Sequence, residues 1–464
     1  MISSVGIRQV LRALGCGSLC CAMLALAGCS GGGSNSSSSS TGSGSSSGSS
    51  SSSSGSTTTS APSTAIVVDG GPDQSSNVPF VSVTVCVPGT TTCQVVDHVI
   101  LDTGSIGLRL VSPVLNSNLV LPAVTDASGH SVRECYAYVT SYVWGSMVTA
   151  DVTVAGQTQL SLPVHLIGDT AAGTPASECT SIADSDYANF INQPSATSTL
   201  TDTVATFGAN GILGVMPAGA QDCGSFCAPG TTATSAELAN YYYTCPTATT
   251  CSPTTVALAS QAANPIALVN SGAVNGISLS LPAVGSAGAS TLTGTLTLGV
   301  STTSSDTPPS TASFYGLDEY ALFSTQVSGT TFEAVVDSGT GYYLFSDSSV
   351  PSCVYDSETE FFCPSTSTTL TAALAENSDA VHARGTTANL DFVLENLDLV
   401  SNSAFAIPGI GSPCGLYQSG QCYPATALSL PFFIWGLPFY FGRTVYFVYP
   451  GSTAGGIQGP AFGF

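Results

Sequence analysis

Two short stretches of this chain carry residues whose types and spacing suit acid–base chemistry. The first is Val99-Ile100-Leu101-Asp102-Thr103-Gly104-Ser105, an apolar run ending in a carboxylate and a tight turn. The second, Glu333-Ala334-Val335-Val336-Asp337-Ser338-Gly339-Thr340, repeats the device far downstream. One Asp-Thr/Ser-Gly triplet means little, because turns favour these residues anyway. Two, each behind a β-branched run and one in each half of the chain, mean more. Carboxylates brought together in one cleft cannot both ionise easily, so the pair holds a shared proton. The ionised member can take a proton from water while the protonated member donates to a carbonyl oxygen. That is peptide hydrolysis without a covalent intermediate. Gly104 and Gly339 let the backbone approach closely. The hydroxyls of Thr103, Ser105, Ser338 and Thr340 are spaced to hydrogen-bond the carboxylates or the neighbouring turns.

The elements that must position such residues are strands. The chain has 464 residues, enough for two lobes with separate cores. It is rich in Ser, Thr, Gly, Val and Ala, which points to a β-rich protein. Only 7% of residues are charged, lysine is absent, and the formal net charge is −22. That balance excludes nucleic acid as a partner, since phosphate neutralisation needs clustered Lys and Arg. Acid operation and plain solubility both account for the acidity. Serine hydrolysis finds no support: there is no Gly-x-Ser-x-Gly elbow, and His98, His130, His165 and His382 stand in no triad context. The apolar run at 429–449 is broken by two prolines, glycines and Arg443, and so reads as paired strands rather than a membrane helix.

Around these motifs the chain resembles the pepsin-like aspartic peptidases. Leu101-Asp102-Thr103-Gly104-Ser105, with Leu108, Leu110 and Val111 after it, looks like the family's first active-site segment. Val336-Asp337-Ser338-Gly339-Thr340 resembles the second. Ile212-Leu213-Gly214 and Ile434-Trp435-Gly436 match the two hydrophobic-hydrophobic-Gly segments that thread under the catalytic loops. Tyr142-Val143-Trp144-Gly145-Ser146 resembles the covering flap, with Tyr142 as the flap tyrosine. Three positions depart from the family pattern. Arg109 stands where Trp is common, Gly341 where Ser is usual, and Leu437 where an acidic residue usually follows the last Gly.

The resemblance implies a mostly all-β, two-lobed pepsin-like acid-protease barrel fold with few short helices. Residues 65–285 would form an N-terminal lobe with the first Asp motif and the flap, and 286–464 a C-terminal lobe with the second. It implies an aspartic endopeptidase that activates a water between Asp102 and Asp337. A peptide or protein substrate would lie in the interlobe cleft as an added strand. No metal or organic cofactor is implied, and a monomer is expected. The second reading is a non-catalytic lipoprotein using the same fold as a peptide- or protein-binding module, because fold alone does not establish function.

Residues 1–28 read as a lipoprotein signal peptide. Arg8 and Arg12 precede an apolar stretch, and Leu26-Ala27-Gly28-Cys29 resembles a bacterial lipobox with Cys29 as the lipid attachment site. The membrane is then reached through the N-terminal lipid only. Ser30 favours the outer over the inner membrane of the cell envelope, with the folded part facing the periplasm or the exterior. Residues 29–64, nearly all Ser, Gly and Thr, cannot bury enough apolar surface to fold, and read as a tether. Twelve cysteines follow Cys29, an even number that suits up to six disulfides in an exported chain. Cys86/Cys93, Cys353/Cys363 and Cys414/Cys422 are close pairs, and Cys135 is within reach of Cys179. Cys223, Cys227, Cys245 and Cys251 leave their connectivity open, in an insertion at 218–260 without assignable chemistry.

Overall fold

In the computed structural model, strand Cys93–Asp102 runs from the surface into the core, and its last four residues are buried. The structure describes residues 60–464 except 139, 194, 270–273, 355–359, 419–420 and 428–429. The signal peptide, Cys29 and nearly all of the expected tether lie outside the described residues. Regular structure begins at Ser63, two residues before the expected start. Pro62 accepts a backbone hydrogen bond from Leu298, and strand Ser63–Val68 pairs antiparallel with Leu292–Leu298.

The fold is mostly β, in two main sheets. The larger has 16 strands and draws on both ends of the chain, with Gly276–Leu281, Leu292–Leu298, Arg443–Val448 and Ala461–Gly463 side by side. The smaller has eight strands and centres on Thr330–Val336 and Leu430–Trp435. Among the described residues, only Ser177–Phe190 is a helix of more than four residues. No described helix is long and apolar enough to cross a membrane. The apolar run that ends at residue 449 is strand Leu430–Trp435, a 3-10 turn at Leu437–Tyr440 and strand Arg443–Val448.

One device occurs twice. Strand Cys93–Asp102 lies parallel to Gly211–Val215, with Asp102 opposite Gly214. After the turn, Ile106–Val111 returns antiparallel on the other side of the same strand. In the smaller sheet, Thr330–Val336 lies parallel to Leu430–Trp435, with Val336 opposite Trp435, and Tyr343–Leu344 returns on its far side. Each acidic loop therefore straddles the strand threaded beneath it. The threading requires glycine. A Cβ on Gly214 would stand 2.7 Å from the Ile106 nitrogen, and one on Gly436 would stand 2.1 Å from the Tyr342 carbonyl oxygen.

Packing fixes both loops from below. Trp435, fully buried, stacks on Phe433 at 4.5 Å between ring centroids and donates its indole N–H to Thr325 Oγ1 at 2.9 Å. Phe345 stacks on Phe433 at 4.7 Å. Buried aromatic pairs of this geometry contribute roughly 0.5–1.5 kcal/mol beyond the area they remove from water. Leu437, where the resemblance expects an acidic side chain, is fully buried in this core.

All twelve cysteines beyond Cys29 are paired. The bonds join Cys86–Cys93, Cys135–Cys179, Cys223–Cys227, Cys245–Cys251, Cys353–Cys363 and Cys414–Cys422. Cys135–Cys179 closes the longest loop, 44 residues, worth roughly 4 kcal/mol by the loop-entropy relation. It ties strand Ser131–Ala137 to the helix Ser177–Phe190. That helix has no side-chain N-cap and few strong helix formers, so packing and the disulfide hold it.

Candidate active site

The two acidic loops meet. The Asp102 and Asp337 carboxyls share a hydrogen bond, and both side chains are fully buried. Their hydrogen-bond settings match donor for donor. The Gly104 N–H donates to Asp102 Oδ1 at 2.8 Å, and the Gly339 N–H donates to Asp337 Oδ1 at 2.8 Å. The Ser105 hydroxyl donates to Asp102 Oδ2, and the Thr340 hydroxyl donates to Asp337 Oδ2 at 2.6 Å.

Thr103 and Ser338 lock the loops to one another. The Thr103 N–H donates to Ser338 Oγ at 3.1 Å, and the Ser338 N–H donates to Thr103 Oγ1 at 2.9 Å. The Thr103 hydroxyl donates to the Val336 carbonyl at 2.9 Å, and the Ser338 hydroxyl to the Leu101 carbonyl at 2.7 Å. With those donors committed, the Tyr440 hydroxyl, 2.8 Å from Thr103 Oγ1, supplies the proton of that contact. Tyr440 had no signal in the sequence beyond its place in an apolar run.

The electrostatics separate the two carboxyls. Burial raises both above the ordinary aspartate range. For Asp102 the rise is opposed by the hydrogen bond from Asp337, by Ser105, by the Gly104 N–H and by the charge of Arg109. For Asp337 the Asp102 charge adds to burial, and the group is pushed well above 3.8. The pair titrates as a unit.

Gly104 faces the Asp337 carboxyl directly. A Cβ there would lie 2.6 Å from Asp337 Cγ. Gly104→Ala is expected to force the carboxyls apart and abolish dyad chemistry, at a folding cost of about 1–3 kcal/mol. The paired test is calorimetry and the dyad's titration curve. A normal two-step titration in the alanine variant would contradict the geometry. Gly341 is more loosely surrounded. A Cβ there would lie 3.2 Å from the Ser76 carbonyl oxygen, and the Gly341 carbonyl accepts from Asn77 Nδ2 at 2.7 Å.

The hairpin that resembles a flap departs from one expectation. In strands Ser131–Ala137 and Ser141–Val154, Cys135 pairs with Trp144 and Ala137 with Tyr142. These four share one face, against Cys179 and Ala183 of the helix, where the Tyr142 hydroxyl meets Thr180 Oγ1 at 3.0 Å. Tyr142 therefore faces the helix. Tyr136 and Tyr138, one residue out of phase, occupy the opposite face. A shift of one residue moves a side chain across a strand. Tyr136 lines a pocket of about 260 Å³ beside the dyad, together with Gly104, Ser105, Met216 and Tyr320.

The insertion at 218–260, in which the sequence shows no assignable chemistry, packs against this hairpin. Strand Tyr242–Thr247 pairs with the outer edge of Ser131–Ala137, placing Tyr242 opposite Glu134. Arg109, fully buried, reaches both segments. Its Nη2 donates to Glu134 Oε1 at 2.7 Å and to Asp222 Oδ2 at 3.1 Å, its Nε to Glu134 Oε2 at 3.1 Å, and its Nη1 to the Ile106 carbonyl at 2.8 Å. The Tyr242 hydroxyl donates to Asp222 Oδ1 at 2.6 Å. His165 lies opposite Arg109 in the neighbouring strand, with Nδ1 2.7 Å from Glu134 Oε2. Burial first, then Arg109, push this histidine well below its usual range, so it is neutral.

Strand Thr330–Val336, which delivers Asp337, carries a second titrating group. Burial, then Asp318 and Asp379, push Glu333 up to about 7, and burial pushes Asp318 up to about 6. Glu333 Oε2 is buried without a hydrogen-bond partner among the described residues. A carboxyl whose folded-state value is raised favours the folded state when protonated. That stabilisation is complete below about 4.5 and is lost as pH rises toward about 7. Glu333→Gln should flatten the decline in melting temperature across this window. A variant that follows the parent's curve would exclude Glu333 as its source.

No curated protein matches this chain. Among solved structures it is similar to the aspartic proteinase from Irpex lacteus, at 14% identity and a TM-score of 0.44, over 87% of this chain and 96% of that one. Residues 58–464 match the family described as "Protein of unknown function (DUF3443)", and the chain belongs to that family.

Proposed function

We propose that this protein is an aspartic endopeptidase. The observation that carries the reading is the buried Asp102–Asp337 pair, joined by a hydrogen bond and set in matched loops. Asp102 takes a proton from a water molecule, whose oxygen attacks the scissile carbonyl carbon. Asp337 gives its proton to the carbonyl oxygen, forming a neutral tetrahedral diol. In the second half, Asp337 recovers a proton from a diol hydroxyl while Asp102 donates its own to the leaving nitrogen. The C–N bond then breaks, and the dyad is again singly protonated.

Thr103, Gly104, Ser105, Ser338, Gly339 and Thr340 hold the carboxyls in register, and Tyr136 takes the covering role first expected of Tyr142. The substrate is an extended peptide or protein segment lying in the cleft between an N-terminal lobe (65–285) and a C-terminal lobe (286–464). The six disulfides support an exported setting. The Leu26-Ala27-Gly28-Cys29 tetrad supports anchoring through a lipid on Cys29, with the outer membrane as destination.

The test is hydrolysis of an unfolded protein substrate from pH 3 to 7, with a chelator present and with a hydroxyl-containing peptide inhibitor as control. Cleavage should be inhibitor-sensitive and absent in Asp337→Asn. Cleavage of equal rate in that variant, or none in the parent at any pH, would end the peptidase reading.

A further inference from the structure

Among the described residues, Arg109 is the buried side chain that joins the first acidic turn, the covering hairpin and the insertion. Through Ile106 it holds the turn that follows Asp102. Through Glu134 it holds the covering hairpin, and through Asp222 it holds the insertion, whose strand flanks that hairpin. Its guanidinium carbon sits 3.5 Å from the centroid of the Tyr136 ring, the aromatic that lines the pocket beside the dyad. The hairpin is thus pinned by the guanidinium, by an added strand on its outer edge and by Cys135–Cys179.

We propose that Arg109 is the positioning residue of this site, fastening Tyr136 over the dyad and keeping Asp102, rather than Asp337, as the ionised partner. This deepens the peptidase reading and rests on it for its catalytic meaning. The guanidinium is suited to both tasks. Its planar fork meets Glu134 bidentately while its face stacks on Tyr136, which a lysine cannot do. Burial is the largest single influence and works against its charge, but Glu134, Tyr138, Tyr136 and Asp222 together outweigh it, so the guanidinium keeps its proton. It stands on the Asp102 side, where its charge favours the ionised form of that carboxyl.

The groups facing Arg109 are Glu134, Asp222, His165, Tyr136 and Tyr138. Those facing Asp102 are Asp337, Arg109, Tyr138 and Tyr440. Burial keeps His165 neutral and Tyr138 and Tyr440 protonated.

The experiment follows the dyad directly, by carbon-detected NMR of aspartate side-chain carboxyls, and the hairpin by amide hydrogen exchange. The proteins are the parent, Arg109→Lys, the double variant Glu134→Gln/Asp222→Asn and the neutralised triple variant that adds Arg109→Met to it. In the triple variant the lower titration step of the dyad should lie at higher pH than in the double variant, from which it differs only by the guanidinium. In Arg109→Lys that step should stay near the parent's, while exchange at hairpin amides quickens at least tenfold. A lower step at the same pH in the double and triple variants overturns the proposal. So does Arg109→Lys if its hairpin exchanges like the parent's, and this variant suffices should the triple one fail to fold. Neither readout needs turnover. A parent that cleaves nothing yet shows these shifts would sink the peptidase reading and leave Arg109's hold on the pair and hairpin intact.

Discussion

Asp102→Asn should lower peptide hydrolysis by about 10³-fold or more, on the order of 4 kcal/mol of transition-state stabilisation, and should not lower the melting temperature. The substituted amide keeps the shape of the side chain and can still accept from the Gly104 N–H, but it cannot take a proton from water. Its effect on stability follows from linkage. Both carboxyls are fully buried and raised, Asp337 the more so. Raised carboxyls favour folding while protonated, and that contribution is lost as pH climbs through their folded-state values. Near neutrality the parent therefore carries a buried, poorly solvated negative charge that the variant lacks. The variant should melt above the parent at pH 7 and together with it near pH 3. Scanning calorimetry at the two pH values, with the hydrolysis assay alongside, reads both halves. A variant that loses activity and also melts lower at pH 7 would make Asp102 a structural residue.

How much of this was legible in the sequence depends on the range of the interactions. The two acidic turns and the two hydrophobic-Gly segments are local patterns, and each specifies a strand, a turn and a position for glycine. Their order along the chain implies that Gly214 and Gly436 lie beneath the loops, as they do. Thr103 and Ser338 were visible as hydroxyls, though their exchange of hydrogen bonds across 235 residues was not. Which face Tyr142 takes was not legible, because the assignment turned on a one-residue phase. The sequence offers Tyr136, Tyr138 and Tyr142, and only pairing of Ala137 with Tyr142 decides which face each takes. The insertion at 218–260 gave no signal for its role. Asp222 and Tyr242 matter through contacts with Arg109 and Glu134 that are more than a hundred residues away in sequence. Arg109 was visible as a departure from a family pattern. That it is the hub of a buried ion network could not be read from a strand that is otherwise apolar.

The second large effect is on folding. Arg109→Met should destabilise the protein by about 3–5 kcal/mol at neutral pH, because it leaves two carboxyls buried without their cation. Arg109, Glu134 and His165 are fully buried, and Asp222 is 5% exposed, so water cannot replace the lost partner. Methionine fills much of the volume, which keeps the packing loss small and isolates the electrostatic part. Adding Glu134→Gln and Asp222→Asn should recover most of the loss, since neutral groups of similar shape cost little where an ion network stood. The single variant's deficit should also shrink on acidification, as protons replace the missing cation on the orphaned carboxyls. Denaturant unfolding at pH 7 and pH 4, under non-reducing conditions that keep the six disulfides, measures all three quantities. If Arg109→Met unfolds with the parent at pH 7, the network contributes nothing to the fold. If the compensated variant remains as unstable as the single one, the loss comes from packing around Tyr136 rather than from buried charge.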